Sequence, residues 1–187
     1  MYTKIGLAVS QKSRETLATL FSILQKRKAY LFGHCLSTKP HPEFVEFDVS
    51  STLGGIIYNG IRPGKDECGW CPPFRRRTIK TQCFPLYSIL QAMGNPTVHY
   101  FSLDVEGSEI EILKSIPFDK VDIKVLDVEH KHLGRVFPGS FEVLNDFLIS
   151  KGYEFFVETK DIIGRPNDAI YAKKGFIEEL NALKAEL

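Results

Sequence analysis

Hydrophobic positions along this chain switch between two periods, and the switches mark out its elements. Residues 4–9 (KIGLAV) form a short apolar run, and over 13–25 Leu17, Leu20, Phe21 and Leu24 recur at the spacing of one helical face. A strand followed by a helix is the prediction. Residues 29–36 (AYLFGHCL) predict a second strand, closed by a Pro-containing loop at 39–42, and residues 44–49 alternate apolar and acidic groups like a half-buried strand. From 53 to 73 the chain is rich in Gly and Pro (LGGIIYNGIRPGKDECGWCPP), which predicts an irregular surface excursion.

The second half alternates more regularly. Residues 84–93 predict a helix, and 97–103 (TVHYFSL), rich in β-branched and aromatic residues, predict a buried strand running into Asp104, Val105, Glu106 and Gly107. Over 108–116, Ile110, Leu113 and Ile116 share a helical face until Pro117 stops it. The scheme then repeats: 121–128 (VDIKVLDV) is a strand ending at Glu129 and His130, and 140–151 is an amphipathic helix ended by Gly152. Strand, helix, strand, helix is a parallel α/β pattern. Residues 154–158 and 169–173 are two short strands around a Gly/Pro/Asn turn (IIGRPND), suited to an antiparallel pair at one edge, and 176–187 predict a terminal helix or tail.

Composition narrows the functional classes. The 187 residues are 43% hydrophobic and 25% charged, enough apolar material for one sizeable core. With 24 Lys plus Arg against 23 Asp plus Glu, the net charge of +1 gives no reason to expect a nucleic-acid partner. No apolar run is long enough to span a bilayer, and the opening MYTKIGLAVS is too short in apolar residues for a signal peptide, so the chain reads as soluble. The four cysteines leave the compartment open, with the cytoplasm as default.

The chemistry gathers at strand ends. In an open parallel sheet ligands bind beyond the carboxyl ends of the strands. Asp104 and Glu106 end one predicted strand, and Glu129 with His130 ends the next. Gly107 permits a tight turn and Ser108 can cap the following helix, which would leave backbone amides open to a ligand. The plainer reading is that Asp104 and Glu106 cap a helix and pair with nearby lysines.

The stretch YFSLDVEGSEIEILKSIPFDKVDIKVLDVEH resembles the core signature of FkbM-type methyltransferases, a phrase close to FSLDVEGxE followed by IPF and a strand ending in an acidic residue. The flanks RKAYLFGHCLSTKPHPEFVEF and QCFPLYSILQA are similar to segments of animal members, including the Star-like group of insects. The resemblance implies a Rossmann-like class I methyltransferase sheet over residues 1–175, mostly parallel with an antiparallel terminal hairpin. It also implies S-adenosylmethionine as cofactor and O-methylation of a small-molecule or glycan hydroxyl. Asp104, Glu129 and His130 then become the catalytic candidates, and Asp104, Glu106, Gly107 and Ser10 the cofactor contacts. A divalent cation on Asp104, Glu129 and His130 is a sharper variant; a carboxylate acting alone as general base is the simpler one. The alternative function is a non-catalytic, Star-like binding or trafficking protein that keeps the fold.

Two family features are missing. By likeness KIGLAV aligns with the family's second strand, so the first strand with its Gly-rich loop would lie upstream of Met1. Where the family has an acidic residue for the ribose, Ser10 stands instead, without the acceptor-only oxygen pair that suits a diol. A sheet lacking its central strand leaves unpaired backbone groups. Truncation is the favoured explanation; flanking strands closing up, or a partner supplying the missing piece, are the others.

The resemblance also places Cys35 and Cys83 in animal-like segments, compatible with a disulfide if the parent protein enters the secretory pathway. Cys68 and Cys71 (CGWC) are open to a redox pair, a zinc site or plain loop cysteines. His130 and His132 would share a side on an extended segment, an incomplete ligand set. The Arg75–Arg77 run could meet phosphates, although three basic residues are usually just solvated.

Overall fold

The structure is a computed structural model that describes residues 6–7, 32–49, 54–63 and 77–185. Its strands are β1 Gly6–Leu7, β2 Cys35–Leu36, β3 Glu43–Val49, β4 Gly55–Ile56, β5 Arg77–Phe84, β6 Tyr100–Leu103, β7 Val125–Glu129, β8 Tyr153–Lys160 and β9 Pro166–Lys173. Its helices are α1 Leu86–Ala92, α2 Glu109–Lys114, α3 Phe141–Ser150 and α4 Phe176–Ala185. The expected helix over 13–25, Ser10, the Cys68/Cys71 pair, Arg75 and Arg76 lie outside the described residues.

The strands form two sheets, one of five strands in the order β1-β6-β7-β9-β8 and one of four in the order β2-β5-β3-β4. Among the described strands, β1 with β6, β6 with β7 and β2 with β5 pair in parallel. The remaining pairs, β3 with β4 and β5, and β9 with β7 and β8, are antiparallel. The described strands are therefore mixed rather than mostly parallel, while the expected antiparallel terminal hairpin is present as β8 and β9. The departure comes from β5, an eight-residue strand that the sequence pattern did not predict because RTIKTQCF has no clean apolar alternation. It draws residues 35–36 and 43–49 into their own sheet, with Glu46 opposite Lys80 and Val45 opposite Thr81 across the ladder. Between β1 and β6 no gap is left: Gly6 pairs with Tyr100 and Leu7 with Phe101.

Cys35 and Cys83 face each other in the β2–β5 register and form a disulfide, with Cα atoms 4.4 Å apart. The bridge spans a sequence separation of 48; by chain entropy alone a loop of that size stabilises the fold by about 4 kcal/mol.

Alternation along β6 and β7 sets the site. Phe101, Leu103, Leu126 and Val128 are fully buried and pack with Leu86 and Leu90 of α1, Leu113 of α2, and Leu144 and Leu148 of α3. The opposite face carries Tyr100, Ser102, Asp127 and, just past or at the strand ends, Asp104 and Glu129. A second apolar cluster of Phe47, Ile56, Val136 and Phe137 joins the four-stranded sheet to the loop after β7. The ring of Tyr58 stacks on Phe137 at 4.3 Å.

Candidate functional site

Because β6 and β7 are in parallel register, with Leu103 opposite Val128, the residues that follow, Asp104 and Glu129, emerge side by side on the polar face. The chain then reverses sharply after β6. Glu106 takes φ 58° and Gly107 φ 101°, both in the left-handed region. A Cβ on Gly107 would also sit 3.1 Å from the His132 carbonyl oxygen, so glycine is required twice over.

Glu109, not Ser108, holds this turn closed. Its buried carboxylate accepts from Val105 N at 3.0 Å and from Gly107 N at 3.2 and 3.0 Å through its two oxygens. Ser108 precedes the helix without a side-chain cap bond, its backbone at φ −104°, ψ 6°. Ser140, which does cap α3 by accepting from Val143 N, is extended at φ −149°, ψ 173°. An N-cap needs that extended geometry to swing its oxygen over the first turn.

At the end of β7, Glu129 is buried between two cations. Lys131 Nζ lies 2.7 Å from its Oε1 and His132 Nδ1 3.1 Å from its Oε2. The same His132 nitrogen lies 2.7 Å from Glu106 Oε2, so one imidazole joins both strand ends. His130 does not join them. Its Nε2 faces Glu158 at 3.3 Å, and its ring lies 4.9 Å from that of Phe141. Alternation fails here because the strand ends at Glu129 and a turn, closed by Leu133 N donating to the His130 carbonyl at 3.2 Å, rotates His132 inward. His132, which the sequence offered only as half of an incomplete ligand set, thus stands where His130 was put forward, and Glu109 was missed because it reads as an ordinary helical glutamate.

The charges at this edge act on one another. Partial burial, then the charges of Glu129 and Glu106, then a hydrogen bond to Glu129 push the Asp104 carboxyl up to about 7, with Lys131 opposing. Burial would raise Glu129 as well, but the hydrogen bonds from His132 and Lys131 hold it below its ordinary value. Burial opposes charging of His132, yet its bonds to Glu106 and Glu129 push it up to about 10. Glu109 is raised to about 7 by burial, against the pull of its amide donors. The result is one ionised, doubly braced carboxylate beside one solvent-exposed carboxyl poised near neutrality.

Ligand atoms of Asp104, Glu109 and Glu129, and separately of Glu106, Glu129 and His132, lie within 4.8 Å of one another. The first set has the all-oxygen character that hard cations take. In the arrangement seen, Glu109 is spent on backbone amides, and Glu106 and Glu129 are balanced by His132 and Lys131. The anticipated cation set loses His130. Of the expected cofactor contacts, Gly107 is buried with its amide given to Glu109, and one oxygen of half-buried Glu106 is turned to His132. Asp104 is exposed at the strand edge.

A mixed α/β fold with carboxylates gathered at adjoining strand ends is the setting in which the family relationship is found. Residues 14–155 match the model of the methyltransferase FkbM domain, and the chain belongs to that family. No curated protein and no solved structure matches the chain.

Proposed function

We propose that this chain is an O-methyltransferase of the FkbM type, in which Asp104 receives the proton of the acceptor hydroxyl. The observation that carries the proposal is the exposed Asp104 carboxyl, raised to about 7, beside an ionised Glu129 braced by His132 and Lys131. A general base works best when its pKa lies near the operating pH. Family membership implies S-adenosylmethionine as methyl donor, and when bound it supplies the electrophilic methyl group. Asp104 orients the acceptor oxygen and takes its proton as that oxygen becomes the nucleophile. The protonated Asp104 then donates a hydrogen bond to Glu129, which His132 and Lys131 keep ionised. The order β6-β7-β9-β8, parallel between β6 and β7 with β9 inserted antiparallel, supports the class I methyltransferase sheet that this reading requires; β1 paired directly with β6 closes the place of the strand missing between them. The acceptor class we favour is a small-molecule or glycan hydroxyl.

The alternative is a non-catalytic protein that keeps the fold. What favours it is the inward commitment of the Gly107 amide and of Glu106, groups that a ligand-binding edge would leave free. Titration calorimetry with S-adenosylhomocysteine, followed by methyl-transfer assays, separates the two. Binding by the folded chain, retained in Asp104→Asn while transfer is lost, supports the enzyme. A folded chain that releases no heat with S-adenosylhomocysteine supports the alternative.

A further inference from the structure

The hairpin between β8 and β9 carries two isoleucines at its tip that face water. Ile162 is 103% and Ile163 68% exposed, beyond anything burial would ask of a loop. The tip is rigid. Asp161 Oδ1 accepts from Ile163 N at 3.0 Å and Arg165 N at 2.9 Å, and Asp161 Oδ2 from Arg165 Nε at 2.9 Å. Two backbone bonds, Asp161 N to Arg165 O at 2.8 Å and Gly164 N to Asp161 O at 2.9 Å, complete it. Lys160 and Arg165, both exposed, flank the isoleucines.

The hairpin also stands where it matters. Because β9 runs antiparallel to β7 with Asp168 opposite Glu129, the tip projects past the strand edge that bears Asp104 and Glu129. Its root is bolted to the site: His130 N donates to Asn167 O at 2.9 Å, and Lys131, which braces Glu129, donates to Asn167 Oδ1 at 3.0 Å.

We infer that this tip is a membrane-docking prong, with Ile162 and Ile163 entering the interfacial region of an anionic bilayer and Lys160 and Arg165 at headgroup level. A pair of side chains at a hairpin tip is far short of the roughly 800 Å² per partner that a specific protein interface buries. Insertion of a few apolar groups beside cations is what a peripheral membrane contact requires. Pairing through the β8 edge is obstructed by its register shifts between Phe155 and Val157 and between Glu158 and Lys160. The docked orientation turns the Asp104 edge toward the bilayer. Resting on the methyltransferase reading, this places the acceptor hydroxyl on a membrane-borne molecule.

The test is co-sedimentation of the full chain with vesicles of phosphatidylcholine plus phosphatidylserine, and with phosphatidylcholine alone. The wild type sediments with the anionic vesicles and less with the neutral ones. Ile162→Glu/Ile163→Glu lowers partitioning by on the order of tenfold or more, with an unchanged melting temperature. Lys160→Glu weakens only the binding to anionic vesicles, and added salt mimics it. A wild type that stays in the supernatant, as a tip built for a protein partner would, or a double variant that sediments as well as wild type, overturns the proposal. Vesicle binding is read without methyl transfer, so its failure and that of the enzymatic reading are distinguished by the S-adenosylhomocysteine titration.

Discussion

The turn after β6 and the open strand edge beside it each hold a carboxyl raised to about 7, and they hold it for different ends. Glu109 is fully buried, and its oxygens are given to the amides of Val105 and Gly107. Asp104 is exposed, and its shift needs the neighbouring charges of Glu129 and Glu106 in addition to partial desolvation. A perturbed pKa alone therefore does not mark a reactive group; access to solvent separates the carboxyl proposed for the chemistry from the structural one.

The largest effect that would sharpen this contrast is on turnover. Asp104→Asn should lower methyl transfer by about 10²–10⁴-fold while leaving the denaturation midpoint close to wild type. An active Asp104→Asn variant would remove Asp104 from the chemistry. Glu109→Ala should do the reverse to stability. It strands one buried and one partly buried amide donor, at a cost on the order of 3 kcal/mol in urea unfolding. Were Glu109→Ala to unfold at the wild-type midpoint, the turn would not depend on that side chain.

Titration gives a finer comparison. A carboxyl whose folded pKa is raised contributes stability that is complete below its unfolded value and lost as pH rises through the folded value. Glu109, raised from 4.5 to about 7, should therefore make the fold progressively less stable between about pH 4.5 and 7. Glu109→Gln should flatten that slope in pH-dependent melts; an unaltered slope would assign it elsewhere. Asp104, raised in the same direction, shares in that slope, and it should appear in the rate as well, with kcat/KM rising with pH through about 7 as it ionises. The smallest effect is that of Lys131→Met. Lys131 holds Asp104 down, so its removal should move the midpoint of the rate profile upward without abolishing activity. A downward move would contradict the assigned sign.

Much of this was legible in the sequence because it is local. The β6–α2–β7 unit, α3 ended by Gly152, and the β8–β9 hairpin all follow from periodicity and turn residues. Strand alternation likewise puts Asp104 and Glu129 on one face. The pairing of Cys35 with Cys83 came through family likeness rather than from any residue pattern. What stayed hidden is non-local. The polar strand β5 exists because β3 lies beside it, and RTIKTQCF shows no period of its own. The exchange of His130 for His132 depended on a turn that begins one residue past the strand, where alternation no longer predicts direction.

By itself the sequence determined the alternation of strands and helices over the second half, the delivery of acidic residues to two successive strand ends, and the family, since each is written in neighbouring residues. Only the tertiary structure decided that the strands divide into two mixed sheets, that Glu109 consumes the amides of the turn, and that His132 and Lys131 brace Glu129 so that Asp104 is left poised. Those outcomes depend on distances between segments far apart in the chain. Hydrogen bonding and charge coupling act through a few ångströms of space, and only the folded backbone sets which groups come that close.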